Sequence, residues 1–328
     1  MSGSTPTHPF VLLFPGQGAQ YQGMALDFWE RDEEVRQLFE RASDSTGQDM
    51  YGLLVHADGE TLKRTDVSQP AITLANLSAV TYLATQGFQA AGAAGFSLGE
   101  YAALVTAGVI SPEDCFRLVT ARGKAMQESA DRLGSGATAP GMAAVIGLTP
   151  EQVASLIAAW RAEGVSGLYA ANINSPRQTV VAGTSEALAI AVSRFKDAGA
   201  KRVIRLAVAG PFHSPLIADA AEQFQPALES VTFRDPVIPC YSNVSGAVLS
   251  TGAEAKQRAL EQITKPVRWL DEERAIAAQN GIEGVLETGP GTVLTSLWKE
   301  GGSPLPCVSA GTVAAIDQFL QTLTRVQS

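Results

Sequence analysis

The chain has 328 residues, 45% hydrophobic and 17% charged, a balance that supplies one large or two linked cores and argues against a disordered chain. Its formal net charge of −9 sets up a field that repels nucleic acid and anionic membranes as bulk partners. Cys115, Cys240 and Cys307 stand far apart without metal-ligand spacing, which fits reduced core thiols and a cytoplasmic location; the polar tail Met1 to Pro9 does not read as a signal peptide, and no apolar run is long enough to span a bilayer.

The first element is the unbroken apolar run Phe10-Val11-Leu12-Leu13-Phe14, expected to be a strand buried on both faces. It empties into Pro15-Gly16-Gln17-Gly18-Ala19-Gln20, where glycines let a backbone amide approach a ligand closely. Phe28, Val35, Leu38 and Phe39 recur at helical spacing and predict one amphipathic helix from Leu26 to about Ser45. A long apolar helix is expected over Ala71 to Gln86, with Pro70 in its first turn.

The small residues Ala90 to Ala94 then lead into Gly95-Phe96-Ser97-Leu98-Gly99, and Glu100-Tyr101-Ala102-Ala103-Leu104 reads as the start of a helix. A serine with glycine at both second neighbours, between strand and helix, has the form of a nucleophile elbow. That turn presents the Ser97 hydroxyl outward and aims the Leu98 amide from a helix N-terminus, which suits a developing oxyanion. Ser111-Pro112-Glu113-Asp114 starts a further helix, running to about Ala130 and carrying Arg117, Arg122 and Lys124. Asp131 to Ala139 is rich in Gly, Ser and Ala and reads as a flexible link.

The next seventy residues or so have an internal order of their own. Strands at Met142 to Gly147, Gly167 to Ile173, Gln178 to Ala182 and Lys201 to Val208, with helices at Thr149 to Ala162 and Ser185 to Ala198, give β-α-β-β-α-β. That sequence of elements is the signature of a ferredoxin-like unit, here inserted into a larger domain. Beyond it lie the loop Ala209 to Pro215 and strands at Ile238 to Ser242 and Gly284 to Glu287.

Only three histidines exist. His8 sits in the tail and His56 in a loop beside Ala57-Asp58-Gly59, so His213, in a loop stiffened by Pro211 and Pro215, is the candidate base for Ser97. The base needs a partner on its other ring nitrogen; no C-terminal acid stands out, and a backbone carbonyl can serve instead.

Phe14-Pro15-Gly16-Gln17-Gly18, Gln69-Pro70-Ala71, Gly95 to Tyr101, Arg122-Gly123, Pro211-Phe212-His213-Ser214, Lys265 to Trp269 and Glu287 to Gly291 together resemble, in order and over Phe10 to about Leu297, the malonyl-CoA:acyl carrier protein transacylases. The resemblance implies an α/β fold: a larger α/β-hydrolase-like domain, residues 1–139 and 209–328, with an inserted ferredoxin-like subdomain, 140–208, and the active site between them. It implies Ser97 as nucleophile, His213 as general base, and the Gln17 and Leu98 amides as oxyanion hole. Arg122 corresponds to the arginine that pairs with the malonyl carboxylate, a role suited to a planar cationic fork. Gln262 corresponds to the residue whose carbonyl orients the histidine, Gln69 to a polar residue of the pocket, and Phe212 to the bulky residue of malonyl-selective members. One position departs: Phe96 replaces the histidine usual before the nucleophile, and is expected to alter how the acyl carboxylate is held.

The implied reaction carries malonyl from malonyl-CoA through Ser97 to the phosphopantetheine thiol of an acyl carrier protein, in fatty acid biosynthesis, with no metal or other cofactor. A trans-acting polyketide synthase acyltransferase or a serine acyl hydrolase would share the elbow and histidine, and a silent carrier-docking module would need neither. Because carriers are acidic, a basic rim is expected among Lys201, Arg202, Arg205, Lys265, Arg268 and Lys299.

Overall fold

The computed structural model describes residues 9–134, 136 and 139–327. Met1 to His8, with the polar tail and its histidine, and Ser135, Ala137 and Thr138 of the expected link lie outside the described residues.

Two four-stranded sheets carry the architecture. Strands β1 (Phe10–Phe14), β2 (Gly92–Gly95), β9 (Gly284–Glu287) and β10 (Cys307–Ser309) form a parallel sheet in the order β10-β9-β1-β2. Central β1 alternates as a doubly covered strand must: Phe10, Leu12 and Phe14 enter one core while Val11 and Leu13 enter another. Strands β3 (Gly141–Ile146), β4 (Leu168–Ser175), β5 (Gln178–Gly183) and β6 (Arg202–Arg205) form an antiparallel sheet in the order β4-β5-β3-β6. A two-residue pair, β7 (Tyr241–Ser242) with β8 (Ala247–Val248), completes the strands.

Helices α1 (Leu26–Arg31), α2 (Glu33–Thr46), α3 (Met50–His56), α4 (Thr65–Thr85), α5 (Gly99–Thr106) and α6 (Pro112–Leu133) precede the antiparallel sheet. Within it, α7 (Pro150–Ala162) and α8 (Ser185–Asp197) give the observed order β3-α7-β4-β5-α8-β6. Helices α9 (Ala218–Glu229), α10 (Gly252–Glu261), α11 (Trp269–Ala277), α12 (Val293–Gly301) and α13 (Val313–Gln327) complete the chain. None of the described helices is long and apolar enough to cross a membrane.

The antiparallel sheet has two different faces. Ala143, Val145 and Val181 pack with Val153, Ile157, Leu188 and Phe195 of α7 and α8, whereas Met142, Ala144 and Val180 turn the other way and join the core shared with the parallel sheet. Period-2 alternation thus gives this sheet an inner face that roofs the space above β1 and β2.

Several elements differ from the sequence expectation. The helix expected from Leu26 to Ser45 breaks at Asp32, whose extended backbone lets its side chain accept from the Glu34 and Val35 amides and start α2 afresh. Helix α4 begins at Thr65, so Pro70 is interior; the helix starts early because Gln127 of α6 accepts the Thr65 N–H at 2.8 Å, a tertiary cap with no local signal. His56 ends α3 and is not in a loop. Of the segment Ile238 to Ser242 only Tyr241 and Ser242 form a continuous strand; Cys240 makes a single parallel bridge to Ala93 of β2, where the Pro239 carbonyl accepts from Ala93 N at 2.8 Å, and Pro239 has no N–H to extend the ladder. β6 stops at Arg205, opposite Ala143; the Leu206 N–H still donates to the Met142 carbonyl at 2.9 Å, and Leu206 and Val208 line a cavity between the two sheets.

Candidate active site

Between β2 and α5 the chain reverses through Phe96, Ser97 and Leu98. A Cβ on Gly95 would lie 2.0 Å from the Gly99 carbonyl carbon, and one on Gly99 would lie 1.9 Å from the Phe14 carbonyl oxygen, so neither position admits a side chain. Ser97 itself has φ 50°, a left-handed conformation that costs a non-glycine residue about 1–3 kcal/mol. The compensation comes from Asn243, just after β7. Its Oδ1 accepts the Ser97 N–H at 2.6 Å while its Nδ2 donates to the Gly95 carbonyl at 2.6 Å and to Glu272 Oε1 at 2.8 Å. One buried amide thereby clamps both ends of the turn.

His213 is also left-handed, φ 57°, and its imidazole points into the same space. Nε2 lies 2.8 Å from Ser97 Oγ and Nδ1 lies 2.7 Å from the Gln262 carbonyl. A carbonyl only accepts, so Nδ1 carries the hydrogen and Nε2 presents its lone pair to the serine hydroxyl. Burial first, and the neighbouring Arg122 cation second, lower the imidazole pKa to about 4 and keep it neutral.

Arg122, on α6, is 1% exposed. It reaches this depth because α6 packs closely on α4 at the next residue: a Cβ on Gly123 would come within 2.9 Å of the Thr65 carbonyl oxygen. Its Nη2 donates to Gln262 Oε1 at 2.9 Å and lies 3.3 Å from Ser97 Oγ, and the guanidinium sits over the Tyr101 ring, 5.5 Å from its centroid. Gln262 uses its whole amide: the oxygen accepts from Arg122, and Nε2 donates to the Ser97 carbonyl at 3.0 Å and to Glu100 Oε2.

These groups open on a cavity of about 260 Å³ between the two sheets. Gln17, Phe96, Ser97, Leu98, Arg122, Phe212 and His213 all line it, with Met142, Ala144 and Val180 from the inner face of the antiparallel sheet opposite. Neither the Gln17 nor the Leu98 backbone N–H donates to an acceptor among the described residues, leaving two free donors beside Ser97. Phe96 packs edge-on against Trp269, with ring centroids 5.6 Å apart.

Gln69 does not join them. It is buried behind Met126, its Nε2 3.4 Å from the Met126 sulfur, and Met126 rather than Gln69 forms the cavity wall. Three side chains of the site were missed from sequence: Asn243, Glu100 and Glu272. Glu100 alone carried a signal, being the one charged residue in the otherwise apolar α5. No cluster of three or more metal-ligating side chains occurs among the described residues.

The acyl transferase domain family matches residues 11–320. The malonyl CoA-acyl carrier protein transacylase of Escherichia coli (strain K12) is 40% identical over 291 residues, covering 88% of this chain and 92% of that protein. Among solved structures, an acyl carrier protein S-malonyltransferase from Vibrio cholerae superposes with a TM-score of 0.88 at 36% identity, over 95% of this chain and 99% of that one. A malonyl-transacylase solved in complex with its type II PKS acyl-carrier protein also gives 0.88, at 35% identity and the same coverage.

Proposed function

The chain belongs to the acyl transferase domain family, among the malonyl CoA-acyl carrier protein transacylases, and on that premise we propose that it moves malonyl from malonyl-CoA through Ser97 to the phosphopantetheine thiol of an acyl carrier protein. The observation that carries the serine route is the 2.8 Å contact between Ser97 Oγ and a neutral His213 Nε2 at the bottom of a cavity that also holds Arg122.

In the first half-reaction Ser97 Oγ attacks the thioester carbonyl carbon as His213 Nε2 takes its proton. The carbonyl oxygen becomes an oxyanion facing the Gln17 and Leu98 amides, each contributing about 3 kcal/mol to the transition state. The C–S bond then breaks, and the coenzyme A sulfur leaves with the proton from His213. In the second half the carrier thiol gives its proton to His213 and attacks the malonyl-serine ester, and Ser97 leaves as the alcohol. Each step moves a proton or an acyl group, so the reading needs no metal or redox cofactor. Arg122 holds the distal carboxylate, and so fixes the ester in one pose.

We read the larger portion, residues 1–139 and 209–328, as α/β-hydrolase-like and residues 140–208 as a ferredoxin-like insertion; the elbow at the end of a parallel strand and the order β3-α7-β4-β5-α8-β6 support this. The three unpaired cysteines favour a cytoplasmic setting. An acyl hydrolase for uncharged esters is disfavoured by Arg122, since a buried guanidinium gains nothing from an apolar acyl group and bears its desolvation.

The test is Arg122→Ala. Loss of the carboxylate's partner should lower kcat/KM for malonyl-CoA about a hundredfold or more and raise the relative rate with acetyl-CoA. Unchanged malonyl transfer with no gain on acetyl-CoA would remove Arg122 from its role.

A further inference from the structure

Arg122 is a buried cation with no carboxylate within 4.0 Å among the described residues. Four glutamates are buried among the described residues: Glu273 accepts from Trp269 Nε1 at 2.6 Å and Glu287 from the Leu294 and Thr295 amides, which leaves Glu100 on α5 and Glu272 on α11 around Asn243. Only Glu100 is linked to the guanidinium: Gln262 Nε2 donates to Glu100 Oε2, and Gln262 Oε1 accepts from Arg122 Nη2 at 2.9 Å. The amide lies with its oxygen toward the cation and its N–H toward the acid, the orientation that an Arg122 cation and a Glu100 anion both favour. Glu272 instead accepts from Asn243 through Oε1, and its Oε2 has no partner. An ionised Glu272 would leave a buried charge half-solvated, so it is the neutral member of the pair.

We propose that Glu100 is the resident counterion of Arg122 in the empty site, and that it takes up a proton from bulk water when the carboxylate of malonyl-CoA docks on that guanidinium. The inference rests on the reading of Arg122 as the malonyl carboxylate's partner. Its physical basis is charge balance. One buried guanidinium can neutralise one buried anion, and a second carboxylate arriving in the same interior disfavours ionisation of the first.

The other titratable groups facing Glu100 leave it alone in the neutral range. Burial raises Tyr101 above its ordinary value, raises Cys240 and Glu272 well above theirs, and lowers His213 to about 4; Glu273, which burial raises to about 8, is bonded to Trp269 Nε1 beyond Glu272 and does not face Glu100. For Glu100 itself, burial raises the carboxyl to about 7, against the opposing pull of Gln262, the Asn243 amide, Arg122 and Ser242. Loading therefore favours the protonated enzyme, and kcat/KM for malonyl-CoA falls as pH rises through the Glu100 transition, levelling off where the loaded enzyme in turn loses the proton. An uncharged acyl group brings no second anion and shows no such fall.

Glu100 acts through Gln262 and Arg122 and touches no substrate, so the test reads a pH profile rather than activity alone. Initial rates of wild type and Glu100→Gln are measured from pH 6 to 8.5 with malonyl-CoA, with acetyl-CoA, and with the malonyl thioester of N-acetylcysteamine, which lacks the titrating phosphate of coenzyme A. The expected result is a fall of about tenfold in kcat/KM for both malonyl thioesters in wild type, corresponding to a one-unit rise of the Glu100 pKa on loading, with no fall in E100Q or with acetyl-CoA. Net proton uptake on loading wild type at pH 7.5, read by calorimetry in buffers of different ionisation enthalpy, makes the same case without the variant. A flat malonyl profile in wild type, the same slope in E100Q, or loading without proton uptake overturns the role of Glu100 while leaving malonyl transfer intact. Failure of malonyl-CoA to acylate Ser97 overturns this proposal and the reading beneath it together.

Discussion

At the scale of single residues, the protonation of His213 decides how the site behaves in acid. Histidine ordinarily titrates near pH 6.5, but burial and Arg122 depress this imidazole to about 4, so it stays neutral and able to accept the Ser97 proton well below the usual range. The acid limb of kcat/KM for the acetyl thioester of N-acetylcysteamine, which has neither the malonyl carboxylate nor the coenzyme A phosphate, should therefore fall near pH 4; a half-point near 6.5 would contradict the burial argument. Some of the site was legible because chemistry made its residues conspicuous. His213 was one of three histidines, and Ser97 stood between two glycines. Asn243 and Glu272 were not legible, since their roles arise from contacts with Gly95, Ser97 and each other across more than 140 positions or between two late segments. The family resemblance alone assigned Gln69 to the pocket, yet the side chain of Met126 stands between it and the cavity, and no local pattern reveals an intervening side chain.

At the scale of elements, the elbow works because a parallel strand and a helix meet with no room between them. Gly99→Ala would put a methyl group 1.9 Å from the Phe14 carbonyl oxygen, against backbone of β1 that is itself hydrogen-bonded on both sides. The helix α5 must shift, taking the Leu98 amide and Ser97 with it. The expected outcome is a loss of at least a hundredfold in kcat with a lowered Tm, measured by steady-state kinetics and thermal melting; near-normal activity would mean that the turn is more yielding than its geometry. Elements with strong internal patterns matched their sequence reading closely: β1 by its unbroken apolar run, α7 by its Thr149-Pro150-Glu151 start, and β9 by its short apolar segment. Those that moved did so for reasons that apolar periodicity does not show. Gln127 caps α4 from another helix, Asp32 restarts α2 where apolar periodicity runs straight through, and beyond β6 Leu206 and Val208 leave the ladder to line the cavity.

At the scale of the whole molecule, an acidic chain must receive an acidic carrier, so docking depends on where its few unpaired cations lie. Of the basic residues expected at the rim, Arg268 is tied to Asp271 at 2.8 Å and Arg205 donates to the Ala139 carbonyl at 2.8 Å, whereas Lys265 lines, with Arg161, a second cavity that shares His213 with the first. Lys265→Glu should raise the apparent KM for the carrier protein severalfold, an effect that weakens with added salt. An unchanged carrier KM at low salt would move the docking surface elsewhere. The order of strands and helices through the antiparallel sheet could be read from periodicity alone, but the cavity could not, because it forms only where the inner face of one sheet closes over the C-terminal ends of strands in the other. All of this converges on one hydroxyl. Intact-mass and peptide mass spectrometry after brief mixing with malonyl-CoA, without carrier, should find a single malonyl group on Ser97, absent in Ser97→Ala and discharged by added carrier thiol. A chain that stays unmodified while still transferring malonyl, or one labelled at another residue, would contradict the account.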